Sequence, residues 1–106
     1  MIKVTILKSQ KTHRGFRMEG HAGYAEEGYD IVCAAASSVA QFVVAGLTQV
    51  YHIPCEYRLD DGLITLSLPP DGAQTAQDLL ETFELYIRQL SLQYQQYLKI
   101  SVMEVT

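Results

Sequence analysis

A histidine on a glycine-rich segment and a cysteine at a predicted helix start are the residues best placed for chemistry. His21 lies within Gly20-His21-Ala22-Gly23-Tyr24-Ala25-Glu26-Glu27-Gly28-Tyr29, and Cys33 follows Asp30-Ile31-Val32. Asp30 suits the N-cap, where a short carboxylate accepts hydrogen bonds from first-turn N–H groups. Ile31, Val32 and Cys33 then occupy the first three helical positions. Unpaired N–H groups there carry about half a positive charge between them, which favours a thiolate over a thiol. The thiolate is the nucleophilic form. An imidazole brought to the same helix end could stabilise it and then protonate a leaving amine. Free N–H groups at the helix start could hold an oxyanion. Acyl transfer is the reaction that uses all three.

Asp30 opposes this scheme in one respect. As an N-cap its negative charge works against a thiolate beside it. Turned toward His21, it would instead orient the imidazole as the third member of a triad does. Spacing alone does not choose between the two. Ser37 falls one helical turn after Cys33 and shares its face, so its hydroxyl could reach the thiol or a substrate, or bond back to the helix. Gly20, Gly23 and Gly28 are three glycines within nine residues and mark a hinged loop. Tyr24 and Tyr29 on that loop read as lid or surface packing. Glu26 and Glu27 read as a solvated face that could attract a basic substrate. Cys55 reads as inert core, and His13 and His52 as turn and helix-end residues. None of the His and Cys positions shows C-x-x-C or H-x-x-x-H spacing, so no metal site and no cofactor is expected.

The elements that must position this pair follow from periodicity. Ile2, Val4 and Ile6 alternate along a strand over Ile2–Leu7. A polar turn, Ser9–Arg14, leads to a short strand over Gly15–Gly20. From Ile31 to Tyr51 an alanine-rich helix is apolar on most faces, through Val32, Ala35, Val39, Phe42, Val43, Leu47 and Val50. Gly46 would let a second backbone approach, and together these features suggest a helix shared between the core and a partner subunit. Strands over Cys55–Leu59 and Leu63–Leu68 flank Asp60-Asp61-Gly62, a hairpin signal. Pro69-Pro70-Asp71-Gly72 breaks the chain. A second helix over Gln74–Tyr97 sets Leu79, Phe83, Tyr86, Ile87, Leu90, Tyr94 and Tyr97 on one stripe, with Glu81, Glu84, Arg88 and Gln95 off it. A last strand runs over Leu98–Val105. The order β-β-α-β-β-α-β predicts an α+β two-layer sandwich with two helices on one mostly antiparallel sheet. Residues 1–106 read as a single domain.

The 106 residues carry a net charge of −4 and no basic run, a poor match to nucleic acid, whose phosphates require Lys and Arg. No signal-peptide pattern precedes the first strand, so a cytoplasmic location with free thiols at Cys33 and Cys55 is expected. The uncharged stretch Ile31–Cys55 is long enough to span a bilayer. Ser37, Ser38, Gln41, Thr48 and Gln49 interrupt it, and a covered helix, not a membrane partner, is the expectation.

The blocks Gly20-His21-Ala22 and Gly28-Tyr29-Asp30-Ile31-Val32-Cys33-Ala34-Ala35, with Ser37, resemble the ribosomal-processing cysteine proteases of Gram-positive and related bacteria, the Prp family. The similarity spans essentially the whole chain. It implies a cysteine endopeptidase of a two-layer α/β fold, usually homodimeric. The implied substrate is the N-terminal extension of the large-subunit ribosomal protein L-twenty-seven, cut after an aromatic pair and before a small residue. Cys33 matches the family nucleophile and His21 its proton donor. Asp30 and Ser37 match supporting positions. The rival readings are a non-enzymatic ribosome-assembly factor binding the same protein, a thiol redox protein and a structural dimer module. The redox reading is weak because Cys55, the only other thiol, lies 22 positions on.

Overall fold

The computed structural model describes residues 1–25 and 30–105. Five strands and two helices follow in the order expected: β1 Ile2–Ser9, β2 Thr12–Glu19, α1 Ile31–Ala45, β3 Glu56–Asp60, β4 Leu63–Ser67, α2 Pro70–Gln93 and β5 Leu98–Glu104. A π-helical turn, Gly46–Val50, continues α1. The sheet order is β3-β4-β2-β1-β5. Every neighbouring pair is antiparallel except β1 and β5. Ile2, Val4, Ile6, Phe16, Met18, Ile64 and Leu66 turn one face of the sheet into the core. Burial of these side chains under the helices is the main stabilising term.

The boundaries differ from the periodic reading for local reasons. β2 begins at Thr12 because the β1–β2 turn is only Gln10-Lys11, both at positive φ. Neither residue announces such a turn, which usually carries Asn or Gly. A register shift between Leu7 and Lys8 then pairs Leu7 with Gly15 but Lys8 with His13. This bulge changes the alternation, and His13 is buried instead of lying in a polar turn. α2 starts at Pro70, since Pro suits the first helical position. It ends at Gln93, and Tyr94–Tyr97 form the turn into β5.

The buried stripe of α1 is Val32, Ala36, Ala40, Val43, Val44 and Leu47, while Phe42 and Val50 are more than 70% exposed. This helix with its π turn is long and apolar enough to cross a membrane, yet its stripe packs into the core cluster. Gly46 admits a side chain of the same chain: a Cβ there would lie 3.2 Å from Leu79 Cδ2 of α2.

Glu84 is the main correction on α2. It is buried, and its two oxygens are fully engaged. Oε1 lies 2.7 Å from His13 Nε2 and 3.1 Å from Lys8 Nζ, and Oε2 accepts from Arg88 Nη2 at 2.8 Å. Gln77 braces the same place, its Oε1 accepting the His13 N–H at 2.7 Å. Burial alone would raise the Glu84 carboxyl, but hydrogen bonds from His13, Arg88 and Lys8 bring it down to about 2.

Candidate active site

Three pieces of chain meet at one end of α1. The helix supplies Cys33 in its first turn, with Ser37 and Gln41 at successive four-residue steps along the same face. The exit of β2 supplies Gly20 and His21. The β3–β4 hairpin supplies Asp61 and Gly62. A cavity of about 270 Å³ opens between them, walled by His21, Cys33, Ser37, Gln41, Leu59 and Gly62, with Ile2, Met18 and Ile64 reaching its floor. A second opening of about 440 Å³ adjoins it, lined by His21, Ala25, Asp30, Cys33, Ala34, Ser37 and Asp61. His21 and Cys33 border both.

Asp30 is the N-cap. Its Oδ1 accepts the N–H of Val32 and of Cys33, each at 3.0 Å. Its Oδ2 accepts the Tyr24 N–H at 3.1 Å. Burial raises the Asp30 carboxyl, but bonds from the Cys33 and Tyr24 N–H groups, the Cys33 thiol and the Val32 N–H outweigh it, and the net shift is downward. The carboxylate is therefore anionic, and it accepts three backbone N–H groups. Its bonds to the Val32 and Cys33 N–H groups make Asp30 the cap of α1. They also narrow the expectation of free donors there, since Val32 and Cys33 give their N–H groups to Asp30 Oδ1.

Burial and the Asp30 charge both disfavour an anion at the Cys33 sulfur. Burial pushes the thiol up, the Ala22 N–H pulls it down, and the Asp30 charge and hydrogen bond push it up again, for a net rise. The Ala22 N–H donates to Sγ at 3.0 Å. It is the one backbone donor aimed at the sulfur among the described residues, and it comes from the residue after His21.

His21 is held more firmly than a hinged loop implies. The Met1 nitrogen donates to His21 O. The Gly20 N–H donates to Gly62 O at 3.0 Å, tying the β2 exit to the hairpin. Gly20 takes φ +93, and a Cβ there would strike the Met1 carbonyl. Gly23 takes φ +73 with open space around it. Tyr24 packs edge-on against Tyr97 and Tyr94, with centroids 5.1 and 5.9 Å away. Gly28 and Tyr29, the rest of the expected lid, lie outside the described residues, as do Glu26 and Glu27.

Sequence reasoning overlooked Gln41, the Ala22 N–H and the hairpin tip. Gln41 had a signal, since positions 33, 37 and 41 share a helix face. The Ala22 N–H had none, because backbone direction follows from the turn after Gly20. Cys55 is partly buried and borders a separate cavity with Arg14, Glu56 and Leu68. Burial pushes its thiol up as well, with no hydrogen bond to offset it.

A helix-start cysteine and a histidine border one open cleft on a two-layer α/β frame, a placement that suits the class of cysteine-dependent hydrolases. Comparison with known proteins narrows it. The family model described as Cysteine protease Prp matches residues 1–99, and the chain belongs to that family of cysteine proteases. A Bacillus subtilis protein, Ribosomal processing cysteine protease Prp, is 32% identical over 108 residues, covering 95% of this chain and 96% of its own. The crystal structure of an essential ribosomal processing protease Prp from S. aureus, in complex with a covalently linked product peptide, superposes with a TM-score of 0.88. It shares 25% identity and covers 97% of this chain and 100% of that one. A Streptococcus mutans crystal structure gives a TM-score of 0.80 at 26% identity, over 99% and 96% of the two chains.

Proposed function

We propose that this chain is a cysteine endopeptidase in which Cys33 is the nucleophile and His21 the proton carrier. The observation that carries the reading is their meeting in one cleft from different elements, with the Ala22 N–H bonded to the Cys33 sulfur. In the resting protein burial and then the Asp30 charge favour the thiol form of Cys33. A substrate carbonyl entering the cleft meets Sγ as His21 takes the S–H proton. The S–C bond forms and the carbonyl oxygen becomes an oxyanion. The Ser37 hydroxyl and the Gln41 amide on the cleft wall are the polar side chains available to it. Collapse breaks the C–N bond, and His21 protonates the departing amine. Water, deprotonated by His21, then cleaves the thioester, releasing the acid and restoring the thiol.

The substrate in this reading is the N-terminal extension of the large-subunit ribosomal protein L-twenty-seven, cut after its aromatic pair. Support comes from the B. subtilis relative, named for ribosomal processing, and from the apolar floor of the cavity at Ile2, Met18 and Ile64. The working form is a cytoplasmic homodimer. The exposed Phe42 and Val50 on α1 suit an interface between two copies.

The test is a peptide spanning that extension, mixed with the purified protein and followed by mass spectrometry. The expected result is one cut after the aromatic pair, absent with Cys33→Ala. Binding without any cut would instead identify an assembly factor. Sedimentation of the protein with and without Phe42→Asp tests the dimer, and an unchanged single-copy mass in both would remove it.

A further inference from the structure

We propose that Gly62, at the tip of the β3–β4 hairpin, is the positioning residue for the His21 imidazole. The inference deepens the reading of His21 as proton carrier. Gly62 takes φ +75, where glycine is favoured. The larger constraint is its neighbour. A Cβ built on Gly62 would lie 3.0 Å from His21 Nε2, 3.5 Å from Cε1 and 3.7 Å from Cδ2. The space a side chain would fill is therefore occupied by the imidazole. The same residue accepts the Gly20 N–H through its carbonyl at 3.0 Å, so the tip fixes both the ring and the backbone just before it. The hairpin itself is pinned by pairing of β4 with β2, Ile64 opposite Met18 and Leu63 opposite Glu19. Ring position is thus referred to the sheet, while Cys33 is referred to the sheet through α1. Two reacting groups from separate elements are placed in one frame, the condition for a productive geometry.

A substituent at Gly62 must displace the ring by a few tenths of an ångström. Asn tolerates positive φ better than other side-chain-bearing residues, so Gly62→Asn limits the backbone cost while introducing the Cβ. Gly23, at φ +73 in open space, calibrates that cost: the Tm loss of Gly23→Asn measures the conformation alone. Gly62→Asn is expected to lower kcat about tenfold, with KM changed less than about threefold, because positioning rather than peptide binding is lost. The His21 ring signals of the free protein are expected to move in its NMR spectrum. Should the variant not fold, the wild-type spectrum still decides: nuclear Overhauser contacts between the His21 ring and the Gly62 α-protons are expected. Their absence overturns the proposal, as do a kcat and ring signals unaltered by Gly62→Asn. If the ring signals move but His21→Ala cleaves normally, the contact stands and the reading of His21 as proton carrier falls.

Discussion

Two histidines of this molecule, His13 and His21, are held in opposite ways. His13 is buried, with Nε2 2.7 Å from Glu84 Oε1, and that carboxylate is also met by Lys8 and Arg88. Every group there has a partner, and the ring cannot exchange protons with anything else without breaking a bond. His21 lines an open cleft beside Cys33. The Asp30 carboxylate, which borders an opening with His21, accepts three N–H groups. The contrast teaches that an imidazole beside an acid is not by itself a catalytic sign. What matters is whether the acid still has its lone pairs to give and whether the ring reaches solvent.

The sharpest way to break this contrast is to exchange the losses. Cys33→Ala is expected to abolish cleavage of the ribosomal peptide with little change in Tm; residual turnover at the normal rate would remove Cys33 as nucleophile. His21→Ala is expected to cut kcat on the order of 10²-fold. His13→Ala, in contrast, should leave kcat within about twofold while lowering Tm, and the reverse pattern would invert the two roles.

Glu84→Ala strips a buried carboxylate from its three partners, and urea unfolding should show a loss on the order of 2–4 kcal/mol. The acid limb gives a finer test of the same group. Its carboxyl is held down at about 2 in the folded protein, against 4.5 when unshifted. A depressed carboxyl adds stability that is complete above the unfolded value and is lost as pH falls through the folded one. Between pH 4.5 and 2 the wild type should therefore lose stability more steeply than Glu84→Gln. Parallel acid limbs would mean the cluster is not what holds α2 to β1 and β2.

The smallest expected effect lies at the cleft. Asp30→Asn keeps a capping oxygen but removes the charge that pushes the Cys33 thiol up. Alkylation of Cys33 by iodoacetamide at pH 7 should quicken by a few-fold. A slower reaction would show that the cap, not the charge, governs the sulfur.

The layered fold and the cleft's main pair were legible because their signals are local. Alternation in Ile2-Val4-Ile6, the helical repeat of Leu79-Phe83-Ile87-Leu90 and the Asp-Gly turn each need only a short window of chain. Asp30 three residues before Cys33 was legible as a cap for the same reason. The buried cluster was not. His13 faces inward only because the sheet slips register beside it, and Glu84 is satisfied by Lys8 from another strand and Arg88 from its own helix. No window of sequence contains that sum. The setting of the thiol was half legible, since the opposing Asp30 charge lies three residues away whereas burial depends on packing. Helix position argued for an anion, whereas burial and the Asp30 charge together argued more strongly against one.

β1 lies between β2 and β5, and its partner β5 comes from the far end of the chain: Ile2 stands opposite Leu98. The ground beneath His21 is therefore finished last during synthesis. Until residues beyond Leu98 leave the ribosome, the first strand keeps one bare edge and the closing contacts span nearly the full polymer. A nascent chain then carries Cys33 and His21 well before it has the β1–β5 pairing behind the cleft they border.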